Sequence, residues 1–199
     1  PVDLAGMYLT DDPNEPAMWQ VPAGVPALTT VAPQGYVVIW ADGDTADEGL
    51  HASFKLDADG EDIALFAADG ATLIDSVCFP ALVTDLSYGR YPDGLGQWQF
   101  FAEPTPGAAN ESAYEGLVEP IEFSHRRGFY DGPFTVTLGT PTPETTIYYT
   151  LDAENPGQPG GRALSGLIYK GPIEIRRTTC LRAIARRDGW KPSPIGTQT

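Results

Sequence analysis

Glycine and proline punctuate this chain so densely, 22 and 19 among 199 residues, that no long window keeps an apolar i, i+3, i+4, i+7 stripe unbroken. In a helix interior they cost about 1 and about 3 kcal/mol relative to alanine, so ordered structure must come from short strands joined by turns. A hydrophobic content of 42 % is enough for a packed core. Strands are predicted at Gly6–Thr10, Tyr36–Trp40, His51–Leu56, Asp62–Phe66, Thr72–Phe79, Leu86–Arg90 and Trp98–Phe101. The clearest hairpin signal is Ala67–Ala71, where Asp69-Gly70 supplies the positive φ of a tight turn.

In the second half the alternation is cleaner. Phe134, Val136 and Leu138 interleave with Thr135 and Thr137, and Ile147, Tyr149 and Leu151 repeat the pattern. Ile173 and Ile175 alternate with Glu174 and Arg176, and Leu181, Ala183 and Ala185 with Arg182, Ile184 and Arg186. One buried and one wetter face per strand is the mark of antiparallel sheets packed as a sandwich.

Charge divides the chain. Residues 1–110 hold 17 Asp+Glu against Lys55 and Arg90, whereas residues 111–199 hold 10 acids and 10 bases, so the whole net charge of −15 lies in the first half. Such a step points to two units. The excess of acid disfavours nucleic acid and anionic membrane surfaces, which are bound through Lys and Arg. No apolar run approaches the ~18 residues of a membrane span, and Pro1-Val2-Asp3 is no secretory leader. Cys78 and Cys180, one per half within apolar runs, read as buried free thiols.

The segments Asp3-Leu-Ala-Gly-Met-Tyr-Leu-Thr-Asp-Asp12, Gly35-Tyr-Val-Val-Ile-Trp-Ala-Asp42, His51-Ala-Ser-Phe-Lys-Leu56, Ser87-Tyr-Gly-Arg-Tyr-Pro-Asp-Gly94 and Pro104-Thr-Pro-Gly-Ala-Ala-Asn110 resemble, in that order, the bacterial lamin-tail domain. Phe123-Ser-His-Arg-Arg-Gly-Phe-Tyr130, Gly132-Pro-Phe-Thr-Val-Thr-Leu138, Thr146-Ile-Tyr-Tyr-Thr-Leu-Asp152, Tyr169-Lys-Gly-Pro-Ile173 and Leu181-Arg-Ala-Ile-Ala185 resemble the C-terminal domain of chitobiase and β-hexosaminidase. These resemblances imply two tandem immunoglobulin-like antiparallel β-sandwiches: residues 1–110, lacking the lamin-tail family's opening strands, a linker over 111–120, and residues 121–199. An absent strand would leave an open sheet edge on the first module.

Chemistry-bearing motifs are sparse. His51 and His125 read as ordinary strand-end residues, and no zinc, nucleotide or nucleophile-elbow motif is present. The acid-rich stretches Asp42–Glu48 and Asp57–Asp62 carry the oxygen ligands calcium prefers, but not at EF-hand spacing, and solvated turns account for them. Of Trp19, Trp40, Trp98 and Trp190, the last, beside Asp188-Gly189, is the one expected to be exposed for sugar stacking. Asn110-Glu-Ser112 fits the glycosylation acceptor pattern.

No catalytic, cofactor-binding or metal-binding residue is therefore assigned. The expectation is a monomeric pair of non-catalytic accessory, spacer or interaction modules of a larger secreted or cell-surface bacterial protein. Its partners would be the parent's other domains and cell-wall carbohydrate, with neither nucleic acid nor membrane insertion. A carbohydrate-binding or adhesion module is the alternative, and a glycoside hydrolase using first-half carboxylates the outsider.

Overall fold

In a computed structural model the protein is described over residues 1–157 and 166–199. The described residues are all-β apart from one helical turn, and the chain divides into two compact units, Pro1–Ala113 and Tyr114–Thr199.

The first unit is built on a four-stranded antiparallel sheet in the order Trp19–Gln20, Tyr8–Thr10, Gly60–Phe66, Leu73–Pro80. Its central hairpin turns at Asp69-Gly70, where Gly70 takes φ 67° and the Asp69 carboxylate accepts the N–H groups of Ala71 and Thr72 and the Thr72 hydroxyl. Ser87–Tyr91 and Gln97–Phe101 form a second antiparallel hairpin. Trp19, Val21, Leu50, Ala52 and Phe54 form a core, against which Leu9, Val37 and Ile39 pack.

Several expectations change here. The Tyr36–Trp40 strand is not a ladder: only Trp40–Ala41 is a strand, and it pairs in parallel with His51–Ala52. The alternation was nevertheless real, since Val37 and Ile39 face the core while Tyr36, Val38 and Trp40 face solvent. Pro26–Thr29 forms a helical turn that periodicity could not show; proline's fixed φ and missing N–H are tolerated in a first turn. Cys78 is exposed rather than buried, because Leu73–Pro80 lies at the sheet edge and among its residues only Phe79 is buried.

The second unit sets a four-stranded antiparallel sheet, ordered Leu167–Ile168, Thr146–Thr150, Leu181–Arg186, Gly196–Gln198, against shorter ribbons. One apolar run serves two of these ribbons: Phe134–Val136 pairs with Ile173–Ile175, and Leu138–Gly139 pairs with Glu122–Phe123. The change of partner falls at Thr137, whose N–H donates to Ser124 Oγ at 2.8 Å and whose carbonyl accepts Ser124 N–H at 3.0 Å. Val136, Leu138, Ile173, Ile147, Leu181, Ala183 and Ala185 meet in the core. Leu151 does not join them: the strand ends at Thr150, whose buried hydroxyl donates to the Glu154 carbonyl at 2.7 Å, and Leu151 is exposed.

The stretch read as a linker, 111–120, carries structure. Gly116–Leu117 pairs in parallel with Trp190–Lys191, and Val118 is only 3 % exposed within the second core. Gly116 is required at this crossing, since a Cβ there would lie 2.7 Å from the Trp190 ring. These short parallel pairs, with the isolated parallel bridge between Asp152 and Cys180, depart from the all-antiparallel expectation.

Val118→Ala is expected to destabilise the second unit by roughly 2 kcal/mol, from lost burial plus the cavity left behind. Hydrogen exchange read in peptides across Leu181–Arg186 for the second unit and Gly60–Phe66 for the first should show the change in the second alone. Unchanged protection there would mean that residues 114–118 are a free connector.

Candidate functional site

The pairing register of the second unit creates a concavity at one end of its sheets. Phe134 lies opposite Ile175, so the chain entering Phe134–Val136 and the chain leaving Ile173–Ile175 emerge at the same end. The entering segment carries His125, Arg126, Arg127, Phe129 and Tyr130, and the leaving segment carries Arg176 and Arg177. Together they line a groove of about 490 Å³ that reaches Val136, Ile175 and Leu181.

Aromatic rings form one wall. Tyr130 and Phe134 have centroids 4.2 Å apart, His125 stands 4.9 Å from Phe134 and 5.7 Å from Tyr130, and Phe129 projects fully into solvent. The loop's backbone is tied down. Tyr130 donates its hydroxyl to the Arg126 carbonyl at 2.6 Å, Arg127 N–H donates to Gln198 Oε1 at 2.6 Å, and Gly128 N–H donates to the Thr199 carbonyl at 3.0 Å. Arg176 pairs with Glu174 at 2.9 Å, whereas the guanidinium groups of Arg126, Arg127 and Arg177 form no ion pair with the described residues. The lining has one carboxylate side chain, Asp131.

Ser124 Oγ lies 3.0 Å from His125 Nδ1, the contact that a nucleophile and its base would make. This hydroxyl already accepts Thr137 N–H, and among the described residues none hydrogen-bonds the other His125 nitrogen, so no acid orients the ring. The arrangement is suited to holding a ligand with ring faces and guanidinium forks.

The residues singled out by sequence are placed elsewhere and apart. His51 is more enclosed than a surface strand end: its side chain is 8 % exposed, Nδ1 sits 2.9 Å from Asp42, and Nε2 sits 3.2 Å from the Glu48 carbonyl. Partial burial works against a charged ring. The Asp42 hydrogen bond, the Glu48 carbonyl and the Asp42 and Asp47 charges outweigh it, and the His51 pKa stands above its ordinary 6.5. In the acid-rich stretches, Asp42 and Asp44 accept the N–H groups of Asp44 and Ala46, Asp57 accepts that of Asp59, and Glu61 accepts that of Asp57. Among the described residues no group of three or more His, Cys, Asp and Glu side chains is arranged to hold a metal ion.

Trp190 is not the exposed tryptophan. It packs against the second core with Arg187 stacked 4.3 Å from its ring, while Trp40 is 54 % exposed and stacks on His51. Asn110 is half-buried and donates Nδ2 to the Arg90 carbonyl at 3.1 Å, so the amide that a glycan would need is engaged in holding the hairpin. The Asp62 hydrogen bond and charge beside the exposed Cys78 thiol raise its pKa.

Known proteins bear on one part of the chain. Residues 125–197 match the family model of the Chitobiase/beta-hexosaminidase C-terminal domain. That match takes in both segments lining the groove and lies wholly within the second unit. No curated protein and no solved structure matches the chain, and the lamin-tail resemblance of residues 1–110 has no support from these comparisons.

The first unit should respond to pH on both sides. A raised His51 pKa means stability that is full below about pH 6.5 and lost as pH rises through the folded value. Asp42 is lowered by the Asp44 N–H and by His51, and Asp69 is lowered to about 2 by the Thr72 hydroxyl and the Thr72 and Ala71 N–H groups. Their stability is present above the ordinary carboxylate value of 3.8 and lost as pH falls through the depressed one. Thermal melts against pH should therefore peak between these limits, with His51→Gln flattening the basic side and Asp69→Asn the acidic side. A basic limb unchanged in His51→Gln would disprove the assignment to that ring.

Proposed function

We propose that this chain is a pair of non-catalytic accessory modules of a larger, exported protein, with the second module contributing a binding groove and the first serving as a spacer or interaction domain. The observation that carries the reading is the match of residues 125–197 to a module described by its position at the C-terminus of chitobiase and β-hexosaminidase. The composition of the groove supports it: glycoside hydrolysis calls for two facing carboxyl groups, and one carboxylate side chain, Asp131, lines this surface among arginines and rings. In the first unit, Asp42, Asp57, Asp69 and Glu61 are engaged in turns, which offers them a structural role. An exported parent places the chain outside the cell, with the parent's other domains as its nearest partners.

The test is turnover. Incubation of the full chain with a panel of chromogenic glycosides and with oligosaccharides followed by mass spectrometry is expected to give no product above the uncatalysed background. Turnover that disappears on replacing one or two particular carboxylates would make the chain an enzyme and end the accessory reading.

A further inference from the structure

The groove between residues 125–134 and 175–179 combines three properties that together select a ligand. The first is charge without an ion pair: Arg126, Arg127 and Arg177 all line one concavity, and none of them forms an ion pair with the described residues. A guanidinium fork is matched by a carboxylate or a sulfate. The second is exposed ring surface, from Phe129 fully in solvent and Tyr130 at 45 %. Flat apolar faces beside polar tips suit the C–H face of a pyranose, whose hydroxyls keep their water at the rim. The third is a backbone already in use: the N–H groups of Arg127 and Gly128 and the Arg126 carbonyl are bonded within the unit. An acidic peptide that docked by adding a strand would need such groups open.

From these observations we infer that the second unit binds a short anionic oligosaccharide, its carboxylate or sulfate groups on Arg126, Arg127 and Arg177 and a sugar face on Phe129 and Tyr130. This rests on the accessory-module reading and gives its groove a ligand class. A volume of about 490 Å³ is within the range of small-ligand sites, with room for roughly two or three sugar rings. A short oligosaccharide presents its few charges within a screening length of about 8 Å of the arginines.

The experiment is calorimetric titration of the full chain with a galacturonate tetramer and with a heparin-derived tetrasaccharide, the carboxylated and sulfated forms of the same chemistry. Chitotetraose, hexaglutamate and a short single-stranded oligonucleotide serve as comparators. At least one anionic tetrasaccharide is expected to saturate below about 1 mM and to weaken as salt is raised. Arg177→Ala and Phe129→Ala, both at exposed positions where truncation leaves the core intact, should each weaken it by roughly tenfold, with Lys55→Ala in the first unit unchanged. Equal binding of chitotetraose, equal or tighter binding of hexaglutamate or the oligonucleotide, insensitivity to both groove variants, or no saturation by either tetrasaccharide at about 10 mM would overturn the assignment. A failure here leaves the non-catalytic reading standing, since that reading is decided by turnover.

Discussion

The second unit depends on one strand. Leu181–Arg186 pairs with Thr146–Thr150 on one side and Gly196–Gln198 on the other, while Leu181, Ala183 and Ala185 face the opposing ribbons. Ala183 and Ala185 are wholly buried, and their small side chains let the larger Ile147, Val136 and Ile173 fill the space between layers. A larger residue at either alanine would separate the layers. The Phe134–Val136 and Ile173–Ile175 ribbon whose exits build the groove is held by this contact, so the positions of Arg127, Tyr130 and Arg177 follow from core packing.

The groove of the second unit is built on a loop held through its main chain. The N–H groups of Arg127 and Gly128 and the Arg126 carbonyl are taken up by hydrogen bonds within the unit, so a ligand proposed to bind there would meet side chains. Rings that pack on one another at 4.2 to 5.7 Å cost little further entropy on binding, because their rotamers are already restricted. The first unit spends its acids differently. Asp42, Asp57 and Asp69 close turns by accepting backbone N–H groups, and the net negative charge keeps that surface hydrated while its outer strand edge, Leu73–Pro80, carries Asp75 and exposed Ser76 among its apolar residues.

Much of the architecture was legible in the sequence because it is local. The breakers left no long window for a helix, and among the described residues only the turn at Pro26–Thr29 is helical; Asp69-Gly70 named its hairpin, and period-two alternation picked out Val136, Leu138, Ile147, Ala183 and Ala185 as core. Leu151 and Cys78 were misplaced for one reason: alternation says which residues share a face, and only the neighbouring strands say where a ladder ends and whether that face is covered. Trp190 and Trp40 exchanged roles similarly, since exposure was set by the parallel crossing with Gly116 and by the outward face of the Tyr36–Ala41 segment.

By itself, then, the sequence determined an all-β chain with its acid concentrated in one half, its turns and the two faces of most strands, all properties of residues near one another along the chain. The groove was decided by tertiary structure alone. His125 through Phe134 and Arg176-Arg177 are some 40 to 50 positions apart and carry no shared motif; they become neighbours only because the antiparallel register sets Phe134 against Ile175 and sends both chains out at one end. Register is a property of the packed sheet, fixed by which apolar faces must be buried together, and no stretch of sequence contains it singly.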